Sequence, residues 1–264
     1  MTYGQEFILT LFTNDPTLAS AGDRAGIDRI GVDVERLGKH ARQAHLNTWI
    51  SDHDEQDLPP LRDAVKHGKL FARCNPLHDG SAAELERLLA YGVEVIMLPF
   101  FHTVAEADCF IRLLDGRATP VLLLETAAAA SVVDELCCLD GVEEIHIGLN
   151  DLHLSLGWRS HFDVLVSDYL CSVCETIRTA GLRLGVGGLG RAGDVDLPIP
   201  ADLVYAQFPR LGAHGALISR AFFRGAPIDL SAEIARTRDN LDAMRVLSPA
   251  TLEDYRRRLQ VHLN

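Results

Sequence analysis

Short apolar, β-branched runs alternate along this chain with longer segments whose apolar residues recur at helical spacing. Strands that are apolar on both faces, interleaved with helices, are the pattern of βα units and a covered parallel sheet. The strand-like runs fall at residues 7–12, 29–33, 70–74, 94–98, 121–125, 144–148, 182–186 and 215–219. Helical spacing occupies 17–24, 58–67, 82–89, 104–114 and 201–208; in the third of these Leu85, Leu88 and Leu89 share one side while Glu84, Glu86 and Arg87 take the other. Eight strands with intervening helices predict a closed (β/α)8 TIM barrel. The alternative, an open doubly wound sheet, calls for a glycine-rich phosphate turn after the first strand, and Leu11-Phe-Thr-Asn-Asp-Pro is not one. Helical patterns at 230–246 and 251–263, with the helix-starting Ser248-Pro-Ala-Thr-Leu-Glu between them, exceed what a barrel needs. The chain therefore reads as one domain, 1–264, with 226–264 as additional C-terminal helices that cap the barrel or lie against a neighbouring subunit. Phe222 and Phe223, just before them, read as packing anchors.

Composition narrows the function classes. At 264 residues with 47% hydrophobic and 23% charged positions, the chain can bury a sizeable core. A formal charge of -12 argues against a general nucleic-acid binder, which needs a concentrated basic face, but not against a small anionic substrate met by one arginine. The first six residues are neither basic nor followed by a signal-type apolar core, and no apolar run approaches a membrane span. Together with six cysteines, Cys74, Cys109, Cys137, Cys138, Cys171 and Cys174, mostly in apolar or helical segments, this gives the expectation of a cytoplasmic protein with unpaired thiols. Cys171 and Cys174 form a lone CxxC inside a helical segment and read as core packing.

In a barrel of this kind chemistry gathers at the C-terminal strand ends. Those ends carry Asp33 and Glu35, Arg73 and Asn75, Glu125 and Thr126, and Asn150 and Asp151. A carboxylate closing an all-aliphatic strand, as Glu125 does, is costly to bury without a cation or hydrogen bonds. Asp151 ends the next strand, so the two carboxylates converge as candidate ligands for an oxygen-preferring ion such as Mg2+ or Mn2+. The competing reading pairs Glu125 with an arginine and makes Asp151 a helix cap. Arg73, on an otherwise apolar strand, suits a substrate carboxylate bidentately or a structural ion pair with Asp33 or Glu35. Arg36, Lys39 and Arg42 follow and add positive charge to the mouth or to the surface. His53, in a polar acidic run, is a candidate base or part of a solvated face, with His153 as its competitor. Gly185, Gly187, Gly188 and Gly190 surround the end of strand seven, where backbone N–H groups can meet an anion or simply make a tight turn.

Taken together, these residues resemble the HpcH/HpaI aldolase and citrate lyase family of the phosphoenolpyruvate and pyruvate superfamily, from about Phe7 to Arg224. The strongest marks are Leu124-Glu125-Thr126 and Ile147-Gly148-Leu149-Asn150-Asp151-Leu152. Weaker ones are Asp33-Val34-Glu35, Arg73-Cys74-Asn75, Met97-Leu98-Pro99 and Ser219-Arg220. The resemblance implies that Glu125 and Asp151 bind Mg2+ or a related divalent ion and that Arg73 helps to stabilise an enolate. It also implies a 2-oxo acid substrate and a homo-oligomer assembled through C-terminal helices; Asn150, Gly187 and Gly188 are the candidate substrate neighbours beside Arg73. The expected reaction makes or breaks a carbon–carbon bond. Two departures stand out: Arg36 follows Glu35 where the pyruvate aldolases carry a catalytic histidine, and Leu123 replaces a glutamine two residues before the metal glutamate. His53 is the nearest substitute base, with Arg36 and Glu35 beside it. The alternatives are a CoA-thioester lyase or hydrolase of the citrate-lyase type, a phosphoryl-transferring relative, and a non-catalytic barrel that binds a carboxylate or serves in an assembly.

Overall fold

The computed structural model describes residues 1–38, 52–225 and 228–263; Lys39 and Arg42 lie outside them. Eight parallel strands close into a barrel in chain order, with β8 returning to β1. They are β1 (Ile8–Phe12), β2 (Arg29–Asp33), β3 (Lys69–Arg73), β4 (Val95–Leu98), β5 (Thr119–Leu124), β6 (Glu144–Ile147), β7 (Arg183–Leu189) and β8 (Gly215–Ile218). The closed ladder excludes the open sheet.

The long helices sit where their spacing puts them, and their ends follow local chemistry. Val104–Leu114 begins in a capping box of Thr103 with Glu106 and stops at Asp115, which takes a left-handed conformation. Pro16–Ala25 is capped by Asp15 and stopped by Gly26. Differences from expectation lie in the short elements. Residues 201–208 belong to two helices, Ala201–Tyr205 and Gln207–Leu211. Short helices also form at Tyr3–Glu6, Ala127–Ser131, Val133–Leu136, Leu149–Ser155 and His161–Leu165. β7 runs to Leu189, past the expected end at 186.

The helices Leu230–Arg245 and Pro249–Leu263 pack on the chain's own barrel. The first lies on Tyr3–Glu6 and Pro16–Ala25, the second on Ala201–Tyr205 and Gln207–Leu211. Arg238 fixes the first contact by donating to the carbonyls of Gly4, Phe7 and Gly26 and to Asp28. Phe222 is fully buried with Phe223 5.4 Å away, ring centroid to centroid, as packing anchors should be. The six cysteines form no disulfide, and burial pushes the Cys174 thiol up to about 12, which leaves it an inert core residue. No helix among the described residues is long and apolar enough to cross a membrane.

Alternation along the strands divides the barrel's two surfaces. Leu70, Ala72, Ile96, Leu98, Leu122 and Leu124 join the large core under the helices. Phe71, Val95, Met97, Val121 and Leu123 form a separate cluster with Phe12, inside the barrel under β3–β5. The other half of the interior is polar. Arg29 of β2 reaches across to Glu144 of β6 in a two-bond ion pair of 2.8 and 2.7 Å, with side chains only 6% and 5% exposed. His146, two residues above Glu144, is also buried. Glycine makes room on this side: a Cβ on Gly31 would overlap the Phe71 carbonyl, and one on Gly185 would lie 2.1 Å from His146 Nδ1.

Candidate active site at the barrel mouth

Two residues above the apolar interior cluster, the alternation brings Arg73 and Glu125 to the inner rim. The β2 ladder continues through Val34, whose N–H donates to the Arg73 carbonyl, so Asp33 and Glu35 both face inward. Arg73 Nε and Nη2 donate to the two oxygens of Asp33 at 2.8 and 2.7 Å, and Nε lies 3.4 Å from Glu35. The ion pair weighed from the sequence is therefore present. Burial opposes the guanidinium charge, but Asp33 and Glu35 outweigh it and hold Arg73 firmly protonated. The Phe12 ring lies under the guanidinium, 5.3 Å from its carbon.

Glu125 is 3% exposed, and its Oε1 accepts the Phe100 N–H at 2.9 Å. Phe100, just after Pro99, holds a positive φ of 47°, a strained conformation for a side-chain-bearing residue. Oε2 accepts no hydrogen bond among the described residues, and Gly148 leaves room beside it: a Cβ there would come within 2.6 Å of that oxygen. Asp151 lies in the first turn of Leu149–Ser155 and is 8% exposed. Burial raises the Glu125 carboxyl well above the usual range, Asp151 and Glu35 push it further, and Arg73 and the Phe100 N–H pull it back.

Glu125 and Asp151 are buried oxygen donors of the type a divalent cation takes. Asp33, Glu35, Glu125 and Asp151 are all buried at one mouth, where Asp151 and Glu35 raise the Glu125 carboxyl while Arg73 and the Phe100 N–H lower it. Among the described residues no three His, Cys, Asp or Glu form a ready-made cage. Two carboxylates would leave the remaining positions to water and substrate.

The described residues just after β2 are held in place by side chains. Asn75 Oδ1 accepts the N–H groups of Arg36 and Leu37 at 2.8 and 3.0 Å, while Asn75 itself donates to buried Glu84. Arg36 is exposed; it donates to the His53 carbonyl at 2.9 Å and lies 3.6 Å from Asp54. His53 Nδ1 accepts the Asp33 N–H at 3.1 Å, so the neutral ring carries its proton on Nε2. His153 turns to the Leu149 carbonyl of its own helix and stands edge-on to His161. Thr126 caps Ala127–Ser131 and donates to the Phe101 carbonyl, tying the loops after β4 and β5 together.

Of the expected substrate neighbours, Asn150 and Gly188 are exposed and Gly187 is half-buried at φ 51°. Arg220, after β8, is close enough for Asp33 and Arg73 to act on its charge; burial lowers its pKa, Asp33 opposes that and Arg73 adds to it. Sequence reasoning had left three mouth features aside: the Phe100 amide, the role of Arg220, and His146 beneath the rim. The first carries no side-chain signal. The last two did: an arginine directly after β8, and a histidine alternating with isoleucines in β6.

The sequence matches no known family model and no curated protein. Solved structures do resemble it. An HpcH/HpaI aldolase/citrate lyase family protein from Burkholderia cenocepacia J2315 is 18% identical, covering 92% of this chain and 95% of that one, with a TM-score of 0.64. An HpcH/HpaI aldolase from Desulfitobacterium hafniense DCB-2 is 17% identical over 93% and 95%, TM-score 0.61. The citrate synthase SbnG is 17% identical over 90% and 96%, also with a TM-score of 0.61. At these identities the likeness establishes a shared barrel fold.

Proposed function

We propose that the chain is a divalent-metal-dependent carbon–carbon lyase of the aldolase type, or a synthase in the reverse direction, acting on a 2-oxo acid and related to the HpcH/HpaI family. The observation that carries this reading is the meeting of Glu125 and Asp151 at the mouth, with Arg73 close enough to act on the Glu125 charge and no hydrogen bond to Glu125 Oε2 from the described residues. The structural neighbours support it, since aldolases and a citrate synthase both work through a carbon–carbon bond beside a carbonyl.

Mg2+ or Mn2+ held by Glu125 and Asp151 would supply Lewis acidity toward the carboxylate and keto oxygens of the substrate. Arg73 adds a fixed positive charge. Asp33 binds its Nε and Nη2, which orients the guanidinium and leaves Nη1 outside those bonds, available to the oxygen that gains charge as the enolate forms. The Phe100 amide keeps Glu125 Oε1 in place, so Oε2 is the oxygen that would hold the ion. Leu123, Met97 and Phe12 form an apolar floor, which lowers the local dielectric and strengthens these charges. His53 acts on the site through the Asp33 amide, and proton acceptance by the ring would require that bond to break, since Nδ1 is the acceptor it uses.

The test is turnover of oxaloacetate and 4-hydroxy-2-oxo acids with and without Mg2+ or Mn2+. Metal-dependent pyruvate release, lost in Glu125→Ala and Asp151→Ala proteins that still fold, supports the proposal. Activity with acyl-CoA alone would replace it by the thioester reading, and metal binding without turnover by the carboxylate-binding barrel. A homo-oligomer through the C-terminal helices belongs to the same proposal; light scattering of the intact chain and of a chain ending at residue 228 checks it.

A further inference from the structure

β7 and β8 shift register between Gly185 and Gly188, and pairing resumes at Gly188–Leu217 and Leu189–Ile218, so residues 186–187 bulge out of the ladder. At Gly187, inside that bulge, the backbone turns to φ 51° and its carbonyl accepts from a side chain. That side chain is His146 of β6, whose Nε2 lies 3.1 Å from the Gly187 oxygen. A carbonyl only accepts, so the imidazole carries its proton on Nε2 and donates. The seat for this ring is purpose-shaped: Gly185, paired with His146 across the β6–β7 ladder, has no Cβ to collide with Nδ1. Gly187 in turn closes on Leu149, where a Cβ would come 2.6 Å from Cδ1, and Leu149 opens the helix that carries Asp151.

We propose that His146 is a positioning residue that holds the irregular end of β7, through its bond to the Gly187 carbonyl, as the wall of the mouth beside Asp151. The ring sits one inward position below Gly148, on the strand next to β5 and Glu125, and acts through backbone alone. Without that bond the half-buried Gly187 carbonyl would lose its side-chain partner, and the Gly187–Gly188 turn would relax. The substrate contact made by that turn rests on the 2-oxo acid reading; the hydrogen bond and its effect on β7 do not.

The experiment compares the native chain with His146→Phe, which keeps a ring and removes the donor, and His146→Gln, which keeps a donor. Amide hydrogen exchange over residues 183–190 should quicken about tenfold in His146→Phe, stay near native in His146→Gln, and stay unchanged over β4 in both. If the native protein turns over a 2-oxo acid, KM should rise about tenfold in His146→Phe while kcat changes far less, and His146→Gln should restore KM. Native exchange over 183–190 in His146→Phe would overturn the proposal. Should His146→Phe fail to fold, His146→Gln decides: slow exchange there supports the bond, and quickened exchange overturns it. A native chain without turnover would sink the enzymatic reading and leave the exchange measurement to judge His146.

Discussion

His146 is the residue whose surroundings speak most directly about pH. Burial pushes its pKa down to about 4; Glu144 and the Gly187 hydrogen bond work against that, while Arg29 and Arg73 add to it. The unfolded chain binds this proton near pH 6.5, the folded one only near 4, so the unfolded state gains more protons as pH falls through that window. Stability attached to a neutral His146 is therefore complete above about 6.5 and declines toward 4, by on the order of 3 kcal/mol. Urea unfolding of native and His146→Gln proteins between pH 7 and 4 checks this: the variant should lose less over the interval. Gly148 offers a second residue-level test. Gly148→Ala places a methyl within 2.6 Å of Glu125 Oε2, and the carboxylate must move. About 1–3 kcal/mol of stability should go with it, read by thermal unfolding, and, if Glu125 holds the proposed ion, most of the Mn2+ affinity, read by calorimetry.

Among the elements, β6 and β2 share the barrel's least ordinary contact, the Arg29–Glu144 pair. Breaking one side strands a buried charge: Arg29→Met should cost about 3–5 kcal/mol, whereas Arg29→Met with Glu144→Met should recover most of it in denaturant titrations. A double variant as damaged as the single one would mean that packing of the arginine stem, not its charge, holds the strands. The same two strands show how far a sequence can be read. Their outward residues, Ile30, Val32, Ile145 and Ile147, carry the apolar signal that located them. Their inward ones, Arg29, Glu144 and His146, carry a period-two polar signal that says the interior is charged, but not which residues meet across it. Helices of ten residues or more were legible because they contain several turns of periodicity. Leu149–Ser155 and Ala127–Ser131 contain less than two turns, so Asp151 read as a strand end rather than the first turn of a helix. The mouth's carboxylates and Arg73 were visible as costly charges after aliphatic strands. The Phe100 amide and the Asn75 clamp were not, because a backbone donor and a loop-to-loop contact leave no spacing to read.

At the scale of the whole molecule, closure decides where chemistry can happen: the barrel has no edge strand to bind a peptide, and its polar strand ends collect at one rim. The C-terminal helices complete this body by covering the helices around β1, β7 and β8. Arg238 joins the helix Leu230–Arg245 to the carbonyls at the base of β1. Arg238→Ala should lower the melting temperature of the whole domain in a single cooperative step, because those carbonyls lose their donor at once. Two separate transitions in calorimetry would instead make the C-terminal helices an independent unit.

The Arg29–Glu144 pair also has a consequence for traffic. Lying across the lower interior, with the glycine-backed strands close around it, it makes the barrel a blind well and not a tunnel. Whatever reaches Glu125 comes and goes on the rim side. If Glu125 and Asp151 hold an ion as proposed, a bulky product analogue lodged at the rim should slow the washing-out of Mn2+ by a chelator.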